Sequence, residues 1–281
     1  MSARSETKAG ALSLPAMGSF GPLSAWDDDF TDPWLGSGCV LLQHGFARNA
    51  HLWKPWVPYL GRRWRCIRPD LPGCGRTPAP AEPMEFTTDF LLEATCNLLD
   101  RLGIERVHYV AEGASVGIGA SLAACLPERV ASLTLISARP SVDAALRVHH
   151  SVGFGTWEEA IVELGTREWW VRARSTGGEL VGGPVDSYLA DEAGKVDPRA
   201  AIAMAHWASG WNLPALLPDI QVPTLFVWAE GRVSAAQKEL VGLVPDGHSR
   251  IVSDISSQLM AYTDADKVAP LVAEFLGSLP R

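Results

Sequence analysis

Short β-branched and aromatic runs alternate with segments of helical spacing along most of the chain, and this alternation constrains the fold more than any other feature. The runs are "CVLLQHGF" (39–46), "RCIRPD" (65–70), residues 106–111, "ASLTLIS" (131–137), "VPTLFVWAEG" (222–231) and "SRIVSDI" (249–255). Between two of them, "FTTDFLLEATCNLLDRLGI" (86–104) places Phe90, Leu91, Ala94, Leu98, Leu99 and Leu102 at helical spacing and stops at Gly103. Strands that alternate with helices return in the same direction, so the expected fold class is α/β, a doubly wound and mostly parallel sheet.

The alternation lapses between about 139 and 215. There "TWEEAIVELGTREWWVRAR" (156–174) and "PRAAIAMAHWASGW" (198–211) carry helical spacing on either side of the Gly-rich "STGGELVGGP" (175–184). A helical insertion at this point is placed to cover the carboxyl ends of the strands, the edge where ligands bind in open α/β sheets. The expected organisation is an N-terminal arm over 1–36 with one edge strand, a core formed by 37–138 and 216–281, and a helical cap over 139–215.

Composition narrows the partners. With 47% hydrophobic and 20% charged residues, the 281-residue chain can build a substantial core. A net charge of −8 argues against a nucleic-acid partner, because phosphate binding needs a basic face. The cationic cluster Arg62-Arg63-Trp64-Arg65 reads as a solvated loop. Five cysteines (Cys39, Cys66, Cys74, Cys96, Cys125) form no CxxC pair and read as reduced, mostly buried residues of a cytoplasmic protein. The first 20 residues lack the apolar core of a signal peptide, and no apolar run reaches the ~18 residues of a membrane span. Of eleven tryptophans, Trp157, Trp169, Trp170, Trp207 and Trp211 fall in the insertion.

One stretch bears on chemistry. "HYVAEGASVGIGASLAA" (108–124) runs from a strand through a tight small-residue turn into a helix. In serine hydrolases such a turn carries G-x-S-x-G, with the nucleophile in the middle. Here it reads Ala111-Glu112-Gly113-Ala114-Ser115, and the middle residue is glycine.

These residues resemble the α/β-hydrolase superfamily, in particular its capped members that process small hydrophobic carbonyl compounds. "LLQHGF", "VPYLGRRWRCIRPDLPGCGRT", "LLDRLGIERVHYV" with its elbow, "PERVASLTLIS", "VPTLFVWAE" and the final "VAEFL" lie in the family's order, between residues 39 and 279. The resemblance implies that the turn His44-Gly45-Phe46 donates one oxyanion N–H and that Ala114, after the elbow, donates another. It places the family's acid at Gly231 or Arg232, and its histidine at Ser257 or Gln258, 17 or 18 positions before Phe275. All three triad positions are therefore vacated. Ser115 lies two positions into the helix, rotated by about 200° from the elbow, and is expected to face a neighbouring strand. Glu112 is expected to turn toward neighbouring loops, and Asp70 to fix its own loop. His206 in the cap either reaches the cleft or packs beside Trp207. His248 precedes the last strand and is expected at the opposite edge of the sheet.

A rival reading uses the same glycines, since "GASVGIG" matches the G-x-x-x-G-x-G of short-chain dehydrogenases. That motif follows the first strand, whereas more than 100 residues precede it here, and no Tyr-x-x-x-Lys accompanies it.

Two amides aimed into an enclosed cleft can stabilise negative charge on an oxygen without a serine. The expectation is a lyase, decarboxylase, isomerase or cyclase, free of cofactor and metal, acting on a small hydrophobic or aromatic carbonyl compound. Two alternatives stay open: a pseudoenzyme that binds such a molecule, and a hydrolase with a displaced catalytic set. Phe46, Gly113 and Ala114 are the candidate catalytic positions. His44, Gly45, Glu112, Trp169, Trp170, His206, Trp207, Trp211 and Ser257 are the candidate substrate contacts. The cap tryptophans either line the cleft or bury the cap's helices. The protein is expected to be a monomer or homodimer.

Overall fold

The sheet of the computed structural model contains β1 (Ala9–Leu14), β2 (Leu23–Asp28), β3 (Gly38–Gln43), β4 (Trp64–Asp70), β5 (Val107–Glu112), β6 (Val130–Ile136), β7 (Thr224–Ala229) and β8 (Gly247–Val252). The structure describes residues 9–14, 22–32, 34, 38–80, 84–177, 179–257 and 259–280. Strand order is β1-β2-β4-β3-β5-β6-β7-β8, with β1 and β2 antiparallel and every pair from β4 to β8 parallel. Every residue of β7 is buried, and five of the six in β5 are. Strands covered on both faces need continuous apolar sequence rather than alternation.

Helices cover the two faces. The helical elements of the core and cap are, in chain order, α1 (Val57–Leu60), α2 (Thr88–Arg101), α3 (Ser115–Cys125), α4 (Ala144–Ser151), α5 (Trp157–Thr176), α6 (Pro184–Ala193), α7 (Pro198–Ser209), α8 (Leu213–Leu216), α9 (Ala235–Glu239), α10 (Met260–Thr263) and α11 (Ala265–Ser278). One apolar cluster joins α2, α3 and the cap helices to the sheet, and a second packs Trp53, Trp56, Val268 and Val272 against the other face. The insertion is α4 to α8, and α5 is broken at Gly165, whose φ is +71°. Only glycine adopts such a φ cheaply, so the break is written into the sequence.

The N-terminal stretch contributes two strands rather than one. Its Gly, Ser and Asp content hid them; β1 pairs with β2, and charge holds β2 to β4, where Asp27 takes two hydrogen bonds from Arg65 (2.9 and 2.8 Å) and Asp28 takes one from the buried Arg68 (2.7 Å). The supposed loop Arg62–Arg65 is thereby corrected, since Trp64 and Arg65 open β4 and Arg65 points to Asp27.

His44, at the end of β3, is fully buried and structural. Its Nδ1–H donates to the Gly45 carbonyl (3.0 Å) and its Nε2 accepts the Leu71 N–H (3.0 Å), which fixes one neutral tautomer. Burial pushes its pKa down. Asp70 ties the loop after β4 by accepting the N–H groups of Ala50 (2.8 Å) and Arg76 (3.1 Å). His108 on β5 faces Ser132 Oγ at 2.8 Å, and burial followed by the Arg106 charge lowers its pKa from 6.5 to about 4. The unfolded chain binds a proton at this imidazole below pH 6.5 and the folded chain only near pH 4, so its contribution to stability is lost as pH falls through that window. Thermal unfolding followed from pH 7 to 4 is expected to show a falling midpoint, with a shallower fall in His108→Gln.

Candidate active site

The site is built where β5 ends. Gly113 follows Glu112 at φ +62°, Ala114 follows at φ −63°, and α3 begins at Ser115. A strand that passes directly into a helix needs one residue in the left-handed region, and glycine takes it without strain. A Cβ at 113 would meet nothing nearer than Arg48 Nη1 at 3.9 Å, so the elbow faces open space. The turn after β3 presses on this elbow from the other side: a Cβ at Gly45 would lie 2.4 Å from the Glu112 carbonyl oxygen and 3.1 Å from the Ala114 nitrogen. Gly45 is thus required for close backbone approach. Among the described residues, the N–H groups of Phe46 and Ala114 have no backbone acceptor. Both belong to residues that line one cleft of about 110 Å³ between core and cap.

Ser115 is excluded from that cleft. Its hydroxyl is fully buried, accepts the Glu112 N–H (3.0 Å) and donates toward the carbonyls of Gln43 on β3 (2.8 Å) and Glu112 (2.9 Å). This is the neighbouring strand that the helical rotation predicts.

Four functional candidates escaped the sequence reading, and all line the cleft: Arg48, Arg139, Arg174 and His150. Arg48 follows the His-Gly-Phe turn, and its Nη1 donates to the Phe46 carbonyl (3.3 Å) and lies 3.3 Å from Glu112 Oε2. The approach to Glu112 is off-axis, so Oε2 keeps an ion pair and makes no hydrogen bond. Glu112 thus turns toward Arg48 on the loop after β3, as expected, and borders the cleft as well. Burial pushes the pKa of Arg48 down, and the charge of Glu112 opposes that shift. Arg174, on the last turns of α5, is paired with the buried Glu179. Arg139 follows β6.

His150, on α4, packs against two indoles. Its ring stacks on Trp157 (centroids 4.5 Å apart, 12° between planes) and on Trp169 (5.4 Å, 25°). Its Nδ1 is buried without a hydrogen-bond partner. Burial first, then the charges of Arg174 and neighbouring groups, holds its pKa well below the ordinary 6.5, so the imidazole is neutral at pH 7. The adjacent pair His149-His150 ahead of Trp157 is the signal that could have singled it out.

The remaining candidates divide. Phe46, Glu112, Gly113, Ala114 and Trp211 line the cleft together with Trp157. Trp169 lies behind them, 2% exposed, its Nε1 donating to the His150 carbonyl (2.8 Å). Trp170 is buried on another side, beside Tyr188 and Leu259, and Trp207 donates from Nε1 to Thr88 Oγ1 (3.1 Å). His206 does not reach the cleft: it is largely exposed and pairs with Glu158 (2.9 Å). Ser257 is fully buried, its hydroxyl accepting the Leu259 N–H (2.9 Å), and Gln258 lies outside the described residues. Gly231, at φ +72°, and Arg232 form the turn after β7. His248 is at the start of β8, paired with Asp246 (2.8 Å).

The glycines of α3 serve packing. A Cβ at 117 would fall 1.7 Å from Trp211 Cε3 and 3.0 Å from the Trp207 ring, and one at 119 would fall 2.9 Å from the Tyr109 ring. The dehydrogenase-like spacing thus seats aromatic rings on the helix.

The comparisons bear on the fold. A family model described as alpha/beta hydrolase fold matches residues 38–172. A putative carbamate hydrolase, RutD, of Caulobacter segnis is 29% identical over 105 residues, 37% of this chain and 39% of that protein. Epoxide hydrolase 2 of Siraitia grosvenorii is 36% identical over 124 residues, 43% of this chain and 37% of that protein. The chain thus spans less than half the length of either relative. Among solved structures, a thermophilic esterase from Thermogutta terrifontis superposes with a TM-score of 0.76 at 19% identity, covering 96% of this chain and 98% of that one. A hydrolase from Pseudomonas aeruginosa PA01 gives 0.74 at 20%, with the same coverage. The chain has the α/β-hydrolase fold, with an eight-stranded sheet and a helical insertion among the described residues.

Gly117→Ala is expected to drive Trp211 out of its seat. Overpacking of this kind costs about 1–3 kcal/mol. A lowered unfolding midpoint and an altered tryptophan emission spectrum would show it.

Proposed function

We propose that this protein holds a small carbonyl-bearing molecule noncovalently, with its carbonyl oxygen on the amides of Phe46 and Ala114 and its apolar part against Phe46, Trp157 and Trp211. The observation that carries the reading is Gly113. In this fold the residue at the turn between β5 and α3 would be the nucleophile, and here that position has no side chain and opens onto the cleft. The nearest hydroxyl, Ser115, is committed to three backbone groups. The triad is degenerate on this reading: Ser257, where a histidine would stand, caps a loop inside the core. An amide at the start of α3 is a donor without an intrahelical partner and sits at the positive end of the helix dipole. Such a donor attracts a carbonyl oxygen whether or not a bond is made to its carbon.

A second reading, turnover without an acyl-enzyme, has one observation in its favour. His150 Nδ1 is buried, neutral and unpartnered beside the cleft. It could take a proton from water attacking the bound carbonyl, as in a hydrolase with a displaced catalytic set, or from the carbon beside it, as in a lyase or isomerase.

Two measurements test the proposal. Incubation with a serine-directed fluorophosphonate is expected to leave the intact mass unchanged, and a stoichiometric adduct on Ser115 or Ser257 overturns it. Ala114→Pro removes one donor at a φ that proline accepts. It is expected to weaken binding of phenylacetamide, followed by tryptophan fluorescence, by about threefold to tenfold. Where the protein turns over a carbonyl substrate, the same change lowers the rate by about a hundredfold or more, and His150→Gln abolishes it.

A further inference from the structure

The cleft holds more positive charge than its acidic residues balance. Three guanidinium groups line it, brought by the turn after β3, the turn after β6 and the last turns of α5. Glu112 is paired with Arg48 and Glu179 with Arg174. Among the described residues, Arg139 has no carboxylate partner, so one positive charge remains in excess.

The backbone that carries Arg139 is fixed from several sides. Ser137 N–H donates to the Val227 carbonyl (2.9 Å). The Ala138 carbonyl accepts Trp228 Nε1–H (2.9 Å) and Gln237 Nε2–H (2.8 Å). The Pro140 carbonyl accepts the Leu213 N–H (2.9 Å). Pro140 itself biases the preceding residue toward extended backbone. The segment thus fixes the point from which the side chain enters the cleft, and a guanidinium matches a planar, two-oxygen partner.

Two further polar atoms belong to residues that line the same cleft. Trp157 is 6% exposed and lines it, and its Nε1–H has no hydrogen-bond partner; the same holds for Nε1–H of Trp211. Buried donors of this kind are ordinarily satisfied, and these two, on side chains that border the cleft, have no acceptor within the described protein. The rest of the lining is apolar and aromatic, with Phe46, Val142 and Leu146 beside the two indoles.

We infer that the molecule held in this cleft is a small monocarboxylate with an apolar or aromatic body, its carboxylate recognised by Arg139. The inference rests on the binding reading above and names the ligand class of that same site. A single uncompensated guanidinium suits a single negative charge. The indole N–H donors and the small volume favour a flat acceptor, and the apolar walls require a hydrocarbon portion. Arg139 is here the specificity residue: the carboxylate offers one oxygen to the Phe46 and Ala114 amides and its charge to Arg139 in the same cleft.

The test compares phenylacetate with phenylacetamide, which differ in charge and hardly in shape, by isothermal titration calorimetry and tryptophan fluorescence. Phenylacetate is expected to bind about tenfold or more tighter. Arg139→Gln is expected to remove that preference while leaving phenylacetamide within twofold, and Arg139→Lys to restore part of it. Arg250→Gln, on the exposed face of β8, is expected to change neither. Equal affinity for the two probes overturns the carboxylate inference and leaves the binding reading standing. A preference that survives Arg139→Gln overturns the assignment to this residue. Failure of both probes to bind overturns the binding reading and the inference together.

Discussion

The hydroxyl of Ser115 is the pin on which the cleft depends. By accepting the Glu112 N–H and donating toward the Gln43 and Glu112 carbonyls, it joins the end of β5, the end of β3 and the first turn of α3 at one atom. That junction brings Gly45 against the Glu112 carbonyl and the Ala114 nitrogen, and it sets the Phe46 and Ala114 amides into the same space. A buried hydroxyl with all its partners satisfied is worth far more than its net hydrogen-bond energy suggests. Removing it deprives the Glu112 N–H of this acceptor and the two carbonyls of the one proton they share, at about 1–3 kcal/mol for each group left unsatisfied.

Charge is arranged around this pin with equal economy. Arg48 and Glu112 would each be expensive to bury alone, and their pairing at 3.3 Å makes the burial tolerable. Glu112 Oε2 remains without a hydrogen bond, so the pair is not fully satisfied within the protein. The same low-dielectric surroundings that keep His150 neutral make each guanidinium in the cleft act at longer range than it would in water.

Much of this fold was legible in the sequence because both signals that define it are local. The apolar runs at 39–46, 131–137 and 222–231 became β3, β6 and β7, and the loss of strand pattern after 139 became the helices α4 to α8. Gly113 was legible as well, since a strand-to-helix turn demands a small residue at a predictable place. The N-terminal strands were not fully read, because what holds β2 to β4 is Asp27 with Arg65 and Asp28 with Arg68, pairs about 40 residues apart that leave no periodicity. The same reason hid the cleft's chemistry: Arg48, Arg139, His150 and Arg174 come from four separate segments, and no spacing announces that they converge. The tryptophans could not be sorted in advance because an indole serves a core and a cleft equally well. Trp157 and Trp211 line the cleft, whereas Trp169, Trp170 and Trp207 mainly pack.

The seat of Trp211 on Gly117 has an evolutionary consequence. The cap docks there on a bare stretch of helix backbone, and a ring carbon occupies the place where every other residue would carry its first side-chain atom. A drift at either position alone is penalised: a larger residue at 117 collides, and a smaller one at 211 leaves a hole. Contacting positions of this kind are coupled rather than additive. Core and cap are therefore not free to diversify independently. A lineage that enlarges position 117 has to move Trp211, and one that replaces the cap has to refill the seat that Trp211 leaves on Gly117.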